Sequence, residues 1–130
     1  MNRDRLWWLL FVISVLTIVS GLVQMLAPGF VLERLSAEGS PASEHFFGIV
    51  GMFMALFGGM TVHALLSTVE PRIVFYWAGA QKFGACVAVT MGVLHGIFSP
   101  LALLVAGFDL STAVVIVVYL FFHHVPGAGS

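Results

Sequence analysis

Charged side chains are scarce in this chain: Asp, Glu, Lys and Arg make up 8% of its 130 residues, against roughly 25% in a soluble domain. That excludes an ordinary water-soluble globule. Five Lys and Arg stand against six Asp and Glu, so there is no basic excess to neutralise phosphates, and nucleic acid is not a partner. A single cysteine, Cys86, excludes an internal disulfide, a CxxC redox pair and any multi-thiolate metal or iron–sulfur centre. A nucleophile elbow, a Walker loop, a dinucleotide fingerprint and a pair of catalytic carboxylates are all missing as well. The sequence therefore gives no support to an enzyme.

What the chain has is apolar length, with 60% hydrophobic residues and a mean hydropathy of +1.07. A helix crossing about 30 Å of hydrocarbon needs ~20 mostly apolar residues, so the chain has room for about four crossings. The charges mark the connections. They fall at Arg3, Asp4 and Arg5, then at Glu33, Arg34, Glu38 and Glu44, then at Glu70 and Arg72, leaving Lys82 and Asp109 alone inside apolar stretches. The pattern predicts helices over about 6–26, 41–67, 72–98 and 101–122, within a single transmembrane domain spanning 1–130.

Local signals support these limits. The first apolar run exceeds the ~7–15 residues of a signal-peptide core and lacks an Ala-x-Ala cleavage signature, so it reads as a retained helix. Ala27-Pro28-Gly29 ends it. Ser40-Pro41, with Glu44 near the positive end of the helix dipole, begins the second helix, and Glu70-Pro71 repeats the start signal. The last two runs are broken only by Ser99-Pro100 and are too long for one crossing, which predicts a tight helical hairpin. Phe30, Val31, Leu32 and Leu35 beside Glu33, Arg34 and Glu38 suggest a short amphipathic piece in the interface. The predicted fold is all-α: an integral membrane antiparallel four-helix bundle with an interfacial segment between its first two helices.

Orientation follows from the basic residues in the loops. Arg3, Arg5 and Arg72 share one side and Arg34 lies opposite, which places both termini in the cytoplasm of a cell (inner) membrane. Trp7, Trp8, Tyr76 and Trp77 then form a cytoplasmic aromatic belt.

Helices in lipid associate through small residues and hydrogen bonds, because lipid is as apolar as leucine. Small and polar residues recur at alternating three and four spacing on every predicted helix. These are Ser14, Thr17, Gly21 and Gln24 on the first and Glu44, Gly48, Gly51, Ala55 and Gly58 on the second. The third carries Ala78, Gln81, Ala85, Ala88, Gly92, His95 and Ser99, and the fourth Ala102, Ala106, Asp109 and Ala113. Bulky side chains fall mainly off these seams, and Phe46, Phe47 and Phe53 read as facing lipid or a partner.

An intramembrane carboxylate costs at least ~2.5 kcal/mol on insertion scales unless it is paired, protonated or wetted. Asp109 is therefore the residue to account for. Lys82 is its candidate ion-pair partner, although their heights along straight helices differ by roughly 8 Å and Lys82 has the alternative of snorkelling to the surface. Gln24, Glu44, Gln81, His95 and Asp109 together define either a polar pocket for a small ligand, a lipid or quinone headgroup or a proton, or a set of interhelical hydrogen bonds. Histidine pairs such as His45 with His95, or His63 with His123 or His124, raise haem or pigment ligation as a lesser reading. No cofactor is expected. No metal site is expected either, because metal-ligand spacing on a helix is absent.

A first helix ending Gln24-x-x-Ala-Pro28, a short interfacial segment and the glycine-rich run from Phe47 and Gly48 through Gly51 to Gly58-Gly59 resemble the DoxX-like group of small four-helix membrane proteins. The resemblance implies the fold; roles in that group vary and include quinone-linked oxidoreductase subunits. The leading expectation is a non-catalytic accessory or scaffold subunit. Its partners are the lipid bilayer and either another membrane subunit or further copies of itself. The alternative is a binding or transport protein built on the polar pocket, and a redox subunit is a more distant third.

Overall fold

The computed structural model describes residues 4–69 and 71–122. It is all-helical, with five helices among those residues: α1 (Arg5–Leu26), α2 (Pro28–Arg34), α3 (Pro41–Leu66), α4 (Arg72–Leu94) and α5 (Ala102–Phe122). Three of them, α1, α3 and α5, are long and apolar enough to cross a membrane. The 23-residue α4 carries Gln81 and Lys82 near its middle, which lowers its apolar character.

Local chemistry accounts for the helix starts. The Asp4 carboxylate accepts from the Trp7 backbone N–H at 3.0 Å and caps α1. Ser40 and Ser43 form a reciprocal capping box at the head of α3, with Pro41 in the first turn. Of the Glu70-Pro71 signal, Pro71 is the N-cap of α4 and Glu70 lies outside the described residues.

Helix α1 packs along α3 and α4 along α5, while α1 also meets α5 and α3 meets α4. Both close pairs are antiparallel. In the first, Gln24 reaches Phe47 and Trp7 reaches Leu65; in the second, Arg72 reaches Leu120 and Lys82 reaches Asp109. The α1–α3 contact is closest where Gly21 and Gly51 oppose each other. A Cβ on Gly21 would stand 2.5 Å from the Gly51 carbonyl oxygen, and one on Gly51 would stand 2.6 Å from that of Gly21. Toward the other end of the pair the interior is bulky, a cluster of Trp7, Leu10, Leu65, Phe75, Ile116 and Tyr119. The short α2 lies against α1 and α3, and the Ser99 backbone N–H donates to the Leu35 carbonyl at 2.9 Å, tying the α4–α5 turn to the end of α2.

Four expectations need correction. Helix α4 stops at Leu94 rather than at 98, because Gly96 adopts a left-handed φ of 72°. Around it the Ile97 N–H returns to Gly92 at 2.8 Å and the Gly96 N–H to Val93 at 3.1 Å, a Schellman ending. The inward face of α4 is carried by Phe75, Ala78, Lys82 and Gly92, while Ala88 is exposed and Gln81 half-buried. Trp7 is 1% exposed and belongs to the interior, so only Trp8, Tyr76 and Trp77 look outward. Bulky residues are not confined to the outside, since Leu10, Leu65 and Phe75 are fully covered. His123 and His124 lie outside the described residues.

Candidate functional site

Three helices converge on one cation. Lys82 of α4 is 5% exposed, and the opposing Asp109 of α5 is 6% exposed. The Lys82 ammonium donates to Asp109 Oδ1 at 3.2 Å and to Thr17 Oγ1 of α1 at 3.0 Å. Thr17 can accept because its own hydroxyl proton is committed to the Ile13 carbonyl at 3.0 Å. The third side of the ammonium is covered by the Phe108 ring, 5.3 Å away at its centroid, an attractive contact for a desolvated cation. Lysine reaches inward here because it shares a helical face with Phe75 and Ala78 at three and four spacing. Its four-carbon stem then closes the height difference that straight helices leave.

The space around this pair is small. A void of about 10 Å³ is bordered by Ser14, Thr17, Thr61, Gln81, Lys82 and Thr112, which is about the least space that holds one water molecule. The hydroxyls of Ser14, Thr61 and Thr112 donate to carbonyls in their own helices at 2.8, 2.9 and 2.8 Å. Among the described residues no buried side-chain nitrogen or oxygen lacks a partner. A site of this size admits no organic ligand.

Of the other polar residues singled out in the sequence, Gln81 stands beside the Lys82 cluster, while Gln24, Glu44 and His95 lie elsewhere. Gln24 donates from Nε2 to the Phe47 carbonyl at 3.0 Å and clips α1 to α3. Glu44 is half-buried in the first turn of α3. Its carboxylate lies against Gly29 and Gly39, with Oε1 3.0 and 3.1 Å from where their Cβ atoms would stand. It borders a shallow hollow of about 190 Å³ that Met25, His45 and Met52 share. Gln81 borders the small void. His95 is exposed and serves as the C-cap of α4. Gln81 and Asp109 thus both stand near Lys82, while Gln24, Glu44 and His95 occupy separate places. His45 and His63 are exposed too, and no group of three or more His, Cys, Asp or Glu among the described residues is placed to hold a metal ion.

Thr17 was visible in the sequence only as part of a seam. Its role as the second acceptor for Lys82 depends on how α1 is rotated against α4, and a residue pattern within one helix does not fix that rotation. The sequence pattern gives no sign of a further hollow. It is an apolar groove of about 650 Å³ on the outer side of α4 and α5. No protein-family model, curated protein or solved structure matches this chain.

Proposed function

We propose that this protein is an integral membrane protein in which α1, α3, α4 and α5 each cross the bilayer as an antiparallel four-helix bundle. In this reading it is a non-catalytic accessory or scaffold subunit, with both termini in the cytoplasm and α2 lying in the opposite interface. One observation carries the reading. Large apolar side chains cover the outside of all four long helices, while the buried charges pair with each other and the buried hydroxyls bond to backbone carbonyls of their own helices. That inside-out distribution suits a hydrocarbon solvent, in which every polar group must find an internal partner. The polar centre then serves as interhelical glue, which favours the scaffold over an interior binding pocket. The DoxX-like order of features belongs to the same proposal.

Topology and role are tested separately. In a Cys86→Ser background, single cysteines at Thr68, Glu38 and Ile97 are treated with a membrane-impermeant thiol reagent. Thr68→Cys should label from the cytoplasmic side only, and Glu38→Cys and Ile97→Cys from the opposite side only. Labelling of Glu38→Cys and Ile97→Cys on different sides would remove the four-pass arrangement. For the role, cross-linking in native membranes and purification in mild detergent should recover a second membrane subunit, or further copies of this chain, in a fixed ratio. Asp109→Asn should leave that assembly in place. A chain recovered only as a monomer after cross-linking refutes the accessory role.

A further inference from the structure

We infer that the small space beside Lys82 is a binding site for one water molecule, which is held by the ammonium and by interior hydroxyls and links the two helical pairs. A count of protons motivates it. An ammonium carries three N–H donors, and among the described residues Lys82 meets two acceptors, Thr17 Oγ1 at 3.0 Å and Asp109 Oδ1 at 3.2 Å. Phe108 attracts the charge, but its ring centroid is 5.3 Å away, beyond the roughly 3 Å reach of a hydrogen bond. Lys82 is buried, so bulk solvent does not supply the third acceptor.

The chemistry around that space selects the occupant. It measures about 10 Å³, close to one water-sized sphere. Its polar border comes from all four long helices: Ser14 and Thr17 of α1, Thr61 of α3, Gln81 and Lys82 of α4, and Thr112 of α5. Ser14, Thr61 and Thr112 are buried, and each spends its hydroxyl proton on a carbonyl of its own helix. What such a hydroxyl still offers is an oxygen that accepts. Oxygens that can only accept repel an anion, and the ammonium repels a cation. Water suits both, because it accepts from the third Lys82 N–H and donates to two hydroxyl oxygens. Three hydrogen bonds are the usual complement of a buried water.

Such a water has a structural consequence. Helix α1 packs along α3 and α4 along α5, and the bond from Lys82 to Thr17 crosses directly from the second pair to the first. Ser14, Thr61 and Thr112 stand on three different helices, so any two of them include one from the α1–α3 pair. A water bonded to Lys82 therefore crosses between the pairs whichever two oxygens it chooses. A bridge of this kind is enthalpically nearly as good as a direct hydrogen bond. The inference uses only the packing of the helices and does not depend on the accessory role or on which side the termini lie.

Lys82 is the sole lysine of the sequence, so isotopically labelled lysine gives a single side-chain nitrogen signal. The full chain, labelled in this way and reconstituted in bilayers, is measured by solid-state NMR with cross-polarisation, which reports only water held rigidly. The Lys82 Nζ should show a through-space cross-peak to a proton at the water frequency. Ser14→Thr adds one methyl group and keeps the hydroxyl, and it should erase that peak while the ammonium signal remains. The double variant Thr61→Val, Thr112→Val leaves one of the three hydroxyl acceptors and should weaken the peak severalfold. If Ser14→Thr does not fold, Thr112→Ile fills the space from α5 and supplies the same reading. A resolved ammonium signal without a water peak in the unaltered protein overturns the inference, and so does a peak undiminished by filling the space or by loss of the hydroxyls. Those results leave the thiol-labelling pattern and the recovery of a partner untouched, so the water site fails without the proposed function.

Discussion

A lysine and an aspartate placed among apolar helices are tolerable only in company. Removing one member of a buried pair leaves an uncompensated charge at a cost of about 3–5 kcal/mol, whereas replacing both with well-packed apolar residues is often neutral. Lys82→Met alone should therefore destabilise the fold by about that amount, and Asp109→Leu should do the same. The double variant should recover most of the loss. Reversible unfolding in mixed detergent micelles measures the cycle, and additive losses would show that the 3.2 Å contact carries no coupling. Thr17→Val should cost less, about 1–2 kcal/mol, because it removes one acceptor from the ammonium and leaves the aspartate in place. In the sequence, Lys82 and Asp109 stand out as the two charges isolated within apolar runs. Thr17 does not, since it joins the cluster across 65 positions of chain and only helix rotation brings it there.

Within the elements, glycine has opposite consequences at different positions. Gly51 meets α1 backbone so closely that any Cβ must displace it, while Gly59 of the same helix has nothing within 4 Å of its Cβ position. Gly51→Ala should destabilise by about 1–3 kcal/mol through overpacking. Gly59→Ala should be neutral or stabilising by up to ~1 kcal/mol, because it gains helix propensity without a clash. The same unfolding measurement distinguishes them, and equal effects at both positions would refute the close α1–α3 approach. The glycine seam of α3 was legible because lipid-soluble helices associate through small residues. The end of α4 was legible in principle from Gly96, but Ser99-Pro100 is the louder stop signal and draws the boundary four residues too far. The inward face of α4 was misread for a related reason. Small residues at Gln81 and Ala88 spacing suggested the seam, yet the bulky end of the interior needs Phe75, and turning Phe75 inward brings Lys82 with it.

At the scale of the whole molecule, the chain's three tryptophans report which side of the wall is which. Composition shows that the surface must be greasy, but it cannot say which of two adjacent aromatic residues is turned inward. Trp7 and Trp8 make the point. A belt at the membrane interface explains both equally well from the sequence, and packing separates them. Trp7 is 1% exposed and donates its indole N–H to the Leu65 carbonyl at 3.2 Å. Trp8 and Trp77 are 49% and 65% exposed and, in the proposed orientation, sit at headgroup depth. In bilayers, lipids brominated near the headgroup should quench the Trp8-only and Trp77-only variants strongly and the Trp7-only variant weakly, because contact quenching requires the bromine to touch the ring. Trp7→Phe keeps the ring stacked on Phe11, where the centroids lie 5.3 Å apart, but loses the hydrogen bond that joins the start of α1 to the end of α3. It should lower stability by about 1 kcal/mol without altering the quenching of Trp8. Strong quenching of Trp7 would mean that α1 is turned the other way, and the inward positions of Thr17, Gly21 and Gln24 would fall with it, since one rigid helix carries all four on the same stripe.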